Sequence, residues 1–318
     1  GGFCCRQVIH RGNDIGRTDA RTQHLCKNAT AFNRRIATDG HVMTLPRLLE
    51  KDLPELYGTY YPRKALTAEL VARQAAQAQT RMARLSRWWM GGDNQGQLDV
   101  KSGEKMLDIG CGSGLSLLIA RSKGAEVYGV EADPNVQPLA KELGLSIHQG
   151  SIHDHPFPGM SFDLVVLNQV IEHIPEPGLA LPVIVGRLAP GGRIILVFPN
   201  RCSFYRKIFG PRWINWHIPY HLHHFNLPGF KKMAEGYGLK LVRHRTITPN
   251  IWTFLQFRAA LKKPIQGQAS PVWAVAEPAP RPALLGRKRS LRNTLRASIL
   301  PLLLGLFGVV NRCVDLLG

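Results

Sequence analysis

Between residues 105 and 245 the chain alternates short apolar runs with stretches of helical period. Runs of strand length fall at 105–109, 126–131, 145–149, 162–167, 192–198 and 239–245, and helical spacing recurs at 115–123, 134–143, 178–188 and 227–237. This alternation predicts an α/β fold: a doubly wound, mainly parallel sheet with helices on both faces. Ligands of such a sheet bind beyond the carboxyl ends of its strands.

The pattern changes on either side of that core, taken as residues 96–250. Residues 1–45 are polar, basic and without period, and read as a poorly ordered segment with order beginning near Leu45. Residues 46–95 read as a helical lid. Leu53-Pro54-Glu55-Leu56-Tyr57 leads through Tyr60 and Tyr61 into a long helical pattern from Ala65 to Trp89, and Gly91-Gly92-Asp93-Asn94 follows as linker. Tyr57, Tyr60 and Tyr61 either cover a site or anchor the lid to the core.

In 251–318 the pattern predicts a helix near Asn250 to Leu261, a Pro-rich stretch over 264–285 and an apolar run from Ile299 to Val310. A bilayer span needs about 20 apolar residues, and Asn311, Arg312 and Asp315 interrupt this one. Leu300, Leu303, Phe307, Val310, Val314 and Leu317 share one helical face. The face suits a helix docked on the core or one lying at a membrane interface with Arg287 to Arg296 over acidic head groups, and docking is the favoured reading.

Charge and cysteine content narrow the setting. Against 22 Asp and Glu stand 41 Lys and Arg, a net charge of +19, which attracts anionic partners such as nucleic acid or acidic lipid. Six cysteines are scattered without a disulfide framework, and Gly1 to Cys5 runs into arginines rather than an apolar signal core. Both point to a reducing, cytoplasmic setting, with peripheral contact at the inner face of a membrane as an extension. Cys4, Cys5, His10 and Cys26 lack the C-x₂-C spacing of a zinc site and read as unpaired thiols.

The candidate chemistry starts at Met106-Leu107-Asp108-Ile109-Gly110-Cys111-Gly112-Ser113-Gly114. A strand end runs through alternating glycines into an apolar helix, the context a nucleotide-binding turn requires. Glu131 closes the next strand about 20 residues on, where a ribose diol is gripped. Asp108 would repel a pyrophosphate but welcome an amino group and a sulfonium. The residues therefore favour S-adenosylmethionine over a nicotinamide dinucleotide.

Asp108 to Gly114 with Glu131 resembles the cofactor signature of class I S-adenosylmethionine-dependent methyltransferases, of the bacterial small-molecule type. Gly150-Ser151-Ile152-His153 is similar to the family's adenine-flanking segment, Phe162 to Leu167 to its fourth strand, and Asn168-Gln169-Val170-Ile171-Glu172-His173 to the segment under the methyl group. Leu188 to Leu196 is similar to its helix end, turn and fifth strand, and Trp213 to Phe225 to a segment facing the acceptor. The resemblance implies a Rossmann-like fold with Asp108, Gly110, Cys111, Gly112, Gly114, Glu131, Ser151, Ile152 and Asn168 around the cofactor. It covers roughly 100–250. Many relatives carry an acidic residue where Ser151 stands, which puts affinity for the adenine amino group in doubt; Asp154 is a second, unfavoured carboxylate. The family's seventh, antiparallel strand is not found after 239–245, and with Gly1 in place of Met this suggests a partial chain.

Methyl transfer to oxygen needs positioning and removal of a proton. His221 is the first candidate base and His173 the second. His217, His221, His223 and His224 also have spacing compatible with a metal, but without a placed carboxylate no metal is expected. Trp213, Trp216, Tyr220 and Phe225 suggest an apolar acceptor pocket or plain core packing. The function expected is methyl transfer to a small or lipid-like acceptor, at oxygen. An RNA methyltransferase and a non-catalytic cofactor-binding partner are the rivals.

Overall fold

The computed structural model describes residues 33–36, 42–45, 48–57, 66–91, 99–261, 305–311 and 313–315. Two short strands, β1 (Asn33–Ile36) and β2 (Val42–Leu45), precede five core strands. These are β3 (Lys105–Ile109), β4 (Glu126–Glu131), β5 (Ser146–Gln149), β6 (Phe162–Asn168) and β7 (Leu188–Val197). The core strands form one parallel sheet in the order β5-β4-β3-β6-β7. The order reverses beside β3, the place where a doubly wound sheet opens a crevice.

Strands buried on both faces need apolar residues at successive positions rather than alternating ones. β3 and β6 show this. Met106, Leu164 and Val166 pack on one face with α3 (Leu115–Arg121), while Leu107, Ile109, Val165 and Leu167 pack on the other with α5 (Pro177–Val185) and α7 (Leu227–Glu235). The remaining helices are α1 (Ala68–Gln77), α2 (Arg81–Met90), α4 (Gln137–Glu142), α6 (Phe204–Phe209) and α8 (Asn250–Leu261).

Four expectations need correction. The segment 239–245 forms no strand and lies open to solvent, with Val242 91% exposed. Its apolar residues have no neighbouring strand to pack on, and β propensity realises itself only in such a context. The lid pattern from Ala65 to Trp89 is two helices: the Thr80 hydroxyl accepts the Ala83 N–H at 3.1 Å and starts α2 afresh. Order does not begin at Leu45, because β1 pairs with β2 and β2 with β8 (His223–His224), all antiparallel. Finally, the helix 305–311 docks through only part of the expected face, since Phe307 packs on the core while Val310 is 43% exposed. Asn311 is fully buried and bonds to Asn250, Tyr205 and Thr253, and Phe307 stacks on Phe257, while Leu306, Val309 and Val310 face solvent. A polar network fixes this contact, and a pattern search for apolar faces does not see it.

Candidate active site

β3 ends in the glycine turn, and the structure shows why glycine is needed there. Gly110 has φ +73°, and a Cβ on it would lie 2.4 Å from the Val170 side chain. Gly112 has φ +53°, but a Cβ there would meet nothing within 4 Å. Because Gly112 lines a cleft of about 940 Å³, the space it leaves open is space for a ligand. Gly114 starts α3 and packs against Leu145 instead of reaching the cleft. Cys111 is buried with its thiol against Gly129, and burial pushes that thiol up, so its contribution to the turn is backbone.

Two carboxylates brace the turn. Glu131 is nearly buried in the cleft wall, its oxygens accepting the Gly112 N–H at 2.8 Å and the Asp133 N–H at 2.9 Å. Asp108 lies under the turn and accepts a hydrogen bond from the Ser116 hydroxyl. Desolvation, aided by the nearby Glu131 charge, pushes Asp108 up to about 7 despite that bond. A buried acid poised at neutrality becomes a firm anion once a cationic ligand arrives.

Beyond Glu131 the wall turns apolar through Ala132, Val136, Leu139 and Ile152, then polar again at Ser151 and Glu50. The lid contributes Glu50, Leu53, Tyr57, Leu66 and Gln74. At the other end stand Gln169, Val170 and His173. Asn168 does not reach the wall; its neighbour Gln169, bent to φ +60°, does. Glu50, Gln74, Asp133, Asn135 and Gln169 are polar wall residues that the sequence reading did not assign to the site. Glu50 has no nearby motif to mark it, whereas Gln169 adjoins the β6 segment and its position after an apolar strand was a usable signal.

The histidines separate into a wall residue and a supporting one. His173 Nδ1 lies 2.9 Å from the Tyr220 carbonyl and 2.8 Å from the Tyr57 hydroxyl. A carbonyl only accepts, so a bond to Tyr220 puts the proton on Nδ1, whereas a Tyr57 hydroxyl donating to Nδ1 puts it on Nε2. His221 is buried behind His173, the ring centres 4.7 Å apart, and donates from Nδ1 to the Asn215 carbonyl at 2.7 Å. Burial lowers both rings, His173 well below the ordinary range and His221 to about 4. His223 and His224 are sealed in β8, bonded to the Pro175 carbonyl and the Thr44 hydroxyl.

Beneath them Glu172 is 1% exposed, and neither carboxylate oxygen has a hydrogen-bond partner among the described residues. Burial pushes it up to about 8. One ligand atom each from Glu172, His173 and His221 lies within 4.8 Å of the others, a set that could hold a cation. The aromatic pocket foreseen around Trp213, Trp216, Tyr220 and Phe225 is packing: none of the four lines this cleft, and Phe225 sits in the core against Phe198 and Phe230. The zinc question at Cys4, Cys5, His10 and Cys26, and the lid roles of Tyr60 and Tyr61, lie outside the described residues.

A glycine turn, a strand-end carboxylate over an apolar slot and a switch-point cleft define a nucleoside-cofactor protein of the doubly wound class. The matched family model, described as a methyltransferase domain, spans residues 59–244, more than half the chain. The chain belongs to that family of methyltransferase domains. The chain is similar to a ubiquinone biosynthesis O-methyltransferase of Cereibacter sphaeroides, 34% identical over 37% of this chain and 51% of that protein. A protein of the same name from Xanthomonas euvesicatoria is 31% identical over 42% and 59%. The chain thus spans about half to three fifths of the length of these relatives. Among solved structures, the magnesium protoporphyrin IX methyltransferase of Synechocystis covers 63% of this chain and 94% of its own at 16% identity, with TM-score 0.41.

Proposed function

We propose that the chain is an S-adenosylmethionine-dependent methyltransferase acting on an oxygen of a small, lipid-like acceptor, and that His173 takes the acceptor proton. The observation that carries the reading is the place of His173: it lines the cleft with Nδ1 2.9 Å from the Tyr220 carbonyl, and donation to that carbonyl would leave Nε2 to accept a proton. The names of the two relatives point to the same acceptor chemistry. S-adenosylmethionine supplies a methyl group already activated by its sulfonium. Asp108 and Glu131 offer negative charge and hydroxyl acceptors, Gly110 and Gly112 let the backbone approach, and Ser151 with Ile152 flanks the base. His221, first choice on sequence, does not line the cleft and serves as a positioning residue that sets the His173 ring edge-on.

The test is turnover on soluble catechols and quinols, wild type beside His173→Gln. Transfer to a hydroxyl that collapses in the variant supports the reading, and transfer confined to nitrogen or RNA acceptors overturns it. Basic charge alone supports the RNA rival, and a lid closing over the cofactor cleft fits a small acceptor better. Turnover also separates the enzyme from a purely binding partner.

The unpartnered Glu172 carboxylate favours a second reading of the same end of the cleft. A divalent cation held by Glu172, His173 and His221 would draw the acceptor hydroxyl toward ionisation. Activity lost to a chelator and restored by added metal in the wild type, but not in Glu172→Ala, would support this reading. Activity indifferent to chelation would remove it.

Peripheral membrane contact fits the surface. Phe204 and Ile208 on α6, and Leu306 and Val309 on the C-terminal helix, are about half exposed or more, beside Arg206 and Lys207. No helix among the described residues is long and apolar enough to cross a membrane. Co-sedimentation with anionic but not neutral vesicles is the expected result, and no sedimentation with either would exclude the contact.

A further inference from the structure

Adenine carries an exocyclic amino group that donates hydrogen bonds, and the far end of the cleft must offer it an acceptor. Ser151 has little acceptor capacity to spare. Its hydroxyl donates to Glu50 Oε1 and accepts the His153 N–H at 3.1 Å, and its backbone N–H is taken by Asp154 Oδ2 at 2.7 Å. Asp154 is committed as well, to that N–H and to His148 Nε2 at 3.1 Å, and it does not line the cleft. Glu50 does line it, with one oxygen on Ser151 and the other 3.7 Å from His153 Nε2. Two carboxylate oxygens have about four lone-pair sites, so acceptor capacity remains.

We propose that Glu50, reaching over from the lid, is the acceptor that reads the adenine amino group and so fixes the specificity of the cofactor site. The inference rests on S-adenosylmethionine being the cofactor. The cleft runs along the strand ends from His173 past Gly112 to Glu131 at the end of β4, and on to Ser151 after β5. A nucleoside whose ribose meets Glu131 extends its base over Ile152 toward Ser151, and Glu50 stands there.

The lid holds Glu50 firmly in this place. Leu48 and Leu56 on either side are buried against Ile218 and Leu222, and Asp52 Oδ2 accepts the Leu49 N–H at 2.9 Å. β2, just upstream, is paired with β8. The lid therefore needs no refolding to present the carboxylate.

The experiment compares binding of S-adenosylhomocysteine with its inosine counterpart, in which a carbonyl replaces the amino group. Wild type, Glu50→Gln, Glu50→Ala and Asp154→Asn are titrated side by side. A charge-assisted bond gained by one ligand and a carbonyl facing a carboxylate in the other should separate them by roughly 10–100-fold in the wild type. Glu50→Gln should bring the ratio to within about threefold of unity, because an amide offers both a donor and an acceptor. Glu50→Ala should do the same mainly by weakening the adenine ligand, and Asp154→Asn should leave the ratio alone. A purely structural role for Glu50 would weaken both ligands equally and preserve the ratio, which would overturn the proposal. Failure of the wild type to bind either ligand would overturn the cofactor assignment instead.

Discussion

The two ends of the cleft are built by different means. At the cofactor end the groups that matter lie on neighbouring strand ends, and bonds between those ends hold them: Gly110 N–H to the Val130 carbonyl at 2.7 Å, Gly112 N–H to the Glu131 carboxylate, Gly150 N–H to the Glu131 carbonyl at 2.9 Å. At the acceptor end three distant segments meet. Tyr57 comes from the lid, Glu172 and His173 from the turn after β6, and His221 from the segment before β8. Long-range bonds stitch them together, among them Leu222 N–H to the Glu172 carbonyl and Thr44 N–H to the Leu222 carbonyl, both at 2.8 Å. The first end is a backbone cradle that tolerates little change in shape. The second is a buried polar cluster that depends on protonation and on its partners.

The largest separation between the two ends should come from His173→Ala. Loss of a positioned general base costs about 10²–10⁴ in rate. Turnover should fall by that amount while S-adenosylhomocysteine binds unchanged, as measured by steady-state kinetics and calorimetry. A parallel loss of cofactor affinity would show that His173 belongs to the cradle instead.

Gly110→Ala attacks the cradle itself. Left-handed backbone and the clash with Val170 together should cost about 2–4 kcal/mol of stability, read by chemical denaturation. Gly112→Ala carries the backbone strain without the clash, so it should destabilise less and instead weaken cofactor binding by filling open space.

The pH response of Asp108 is smaller and has two signs. Asp108 lies behind the cleft wall, so under the proposed function a cationic cofactor would favour its ionised form through the field; the Kd should then rise, by up to about tenfold per unit, as pH falls below about 7, and Asp108→Asn should flatten the profile. The free protein runs the other way. Its Asp108 holds a proton that the unfolded chain has released between the ordinary value of 3.8 and about 7, so stability from this group falls as pH rises through that window.

The smallest effect belongs to the frame outside the cleft. Arg193 on β7 donates to Glu104 before β3 at 2.7 Å and holds that carboxyl down to about 2. With Arg193 36% exposed, Arg193→Ala should cost no more than about 1 kcal/mol near neutrality. The contribution of Glu104 is present above its ordinary value of 4.5 and disappears as pH falls toward 2.

The contrast between the two ends also explains what could be read from the chain. The turn from Asp108 to Gly114 was legible because its requirements are local: glycine at left-handed positions, an apolar strand before it and a helix after it. β3, β4 and β6 were legible for the same reason. Glu50 was not, because its meaning comes from Ser151, a hundred residues away. Of His221 and His173 only the latter lines the cleft, and spacing along a chain does not say which of two touching rings faces it. The segment 239–245 read as a strand from its own residues, but it has no partner strand to make it one.

The most direct measurement is a calorimetric titration of S-adenosylhomocysteine into the wild type, Glu131→Ala and His173→Ala. A cradle at one end and acceptor chemistry at the other require micromolar binding in the wild type, at least about 100-fold weaker binding in Glu131→Ala, where two charge-assisted contacts to the ribose are lost, and unchanged binding in His173→Ala. Equal affinity in all three, or no binding to a folded wild type, would contradict the account.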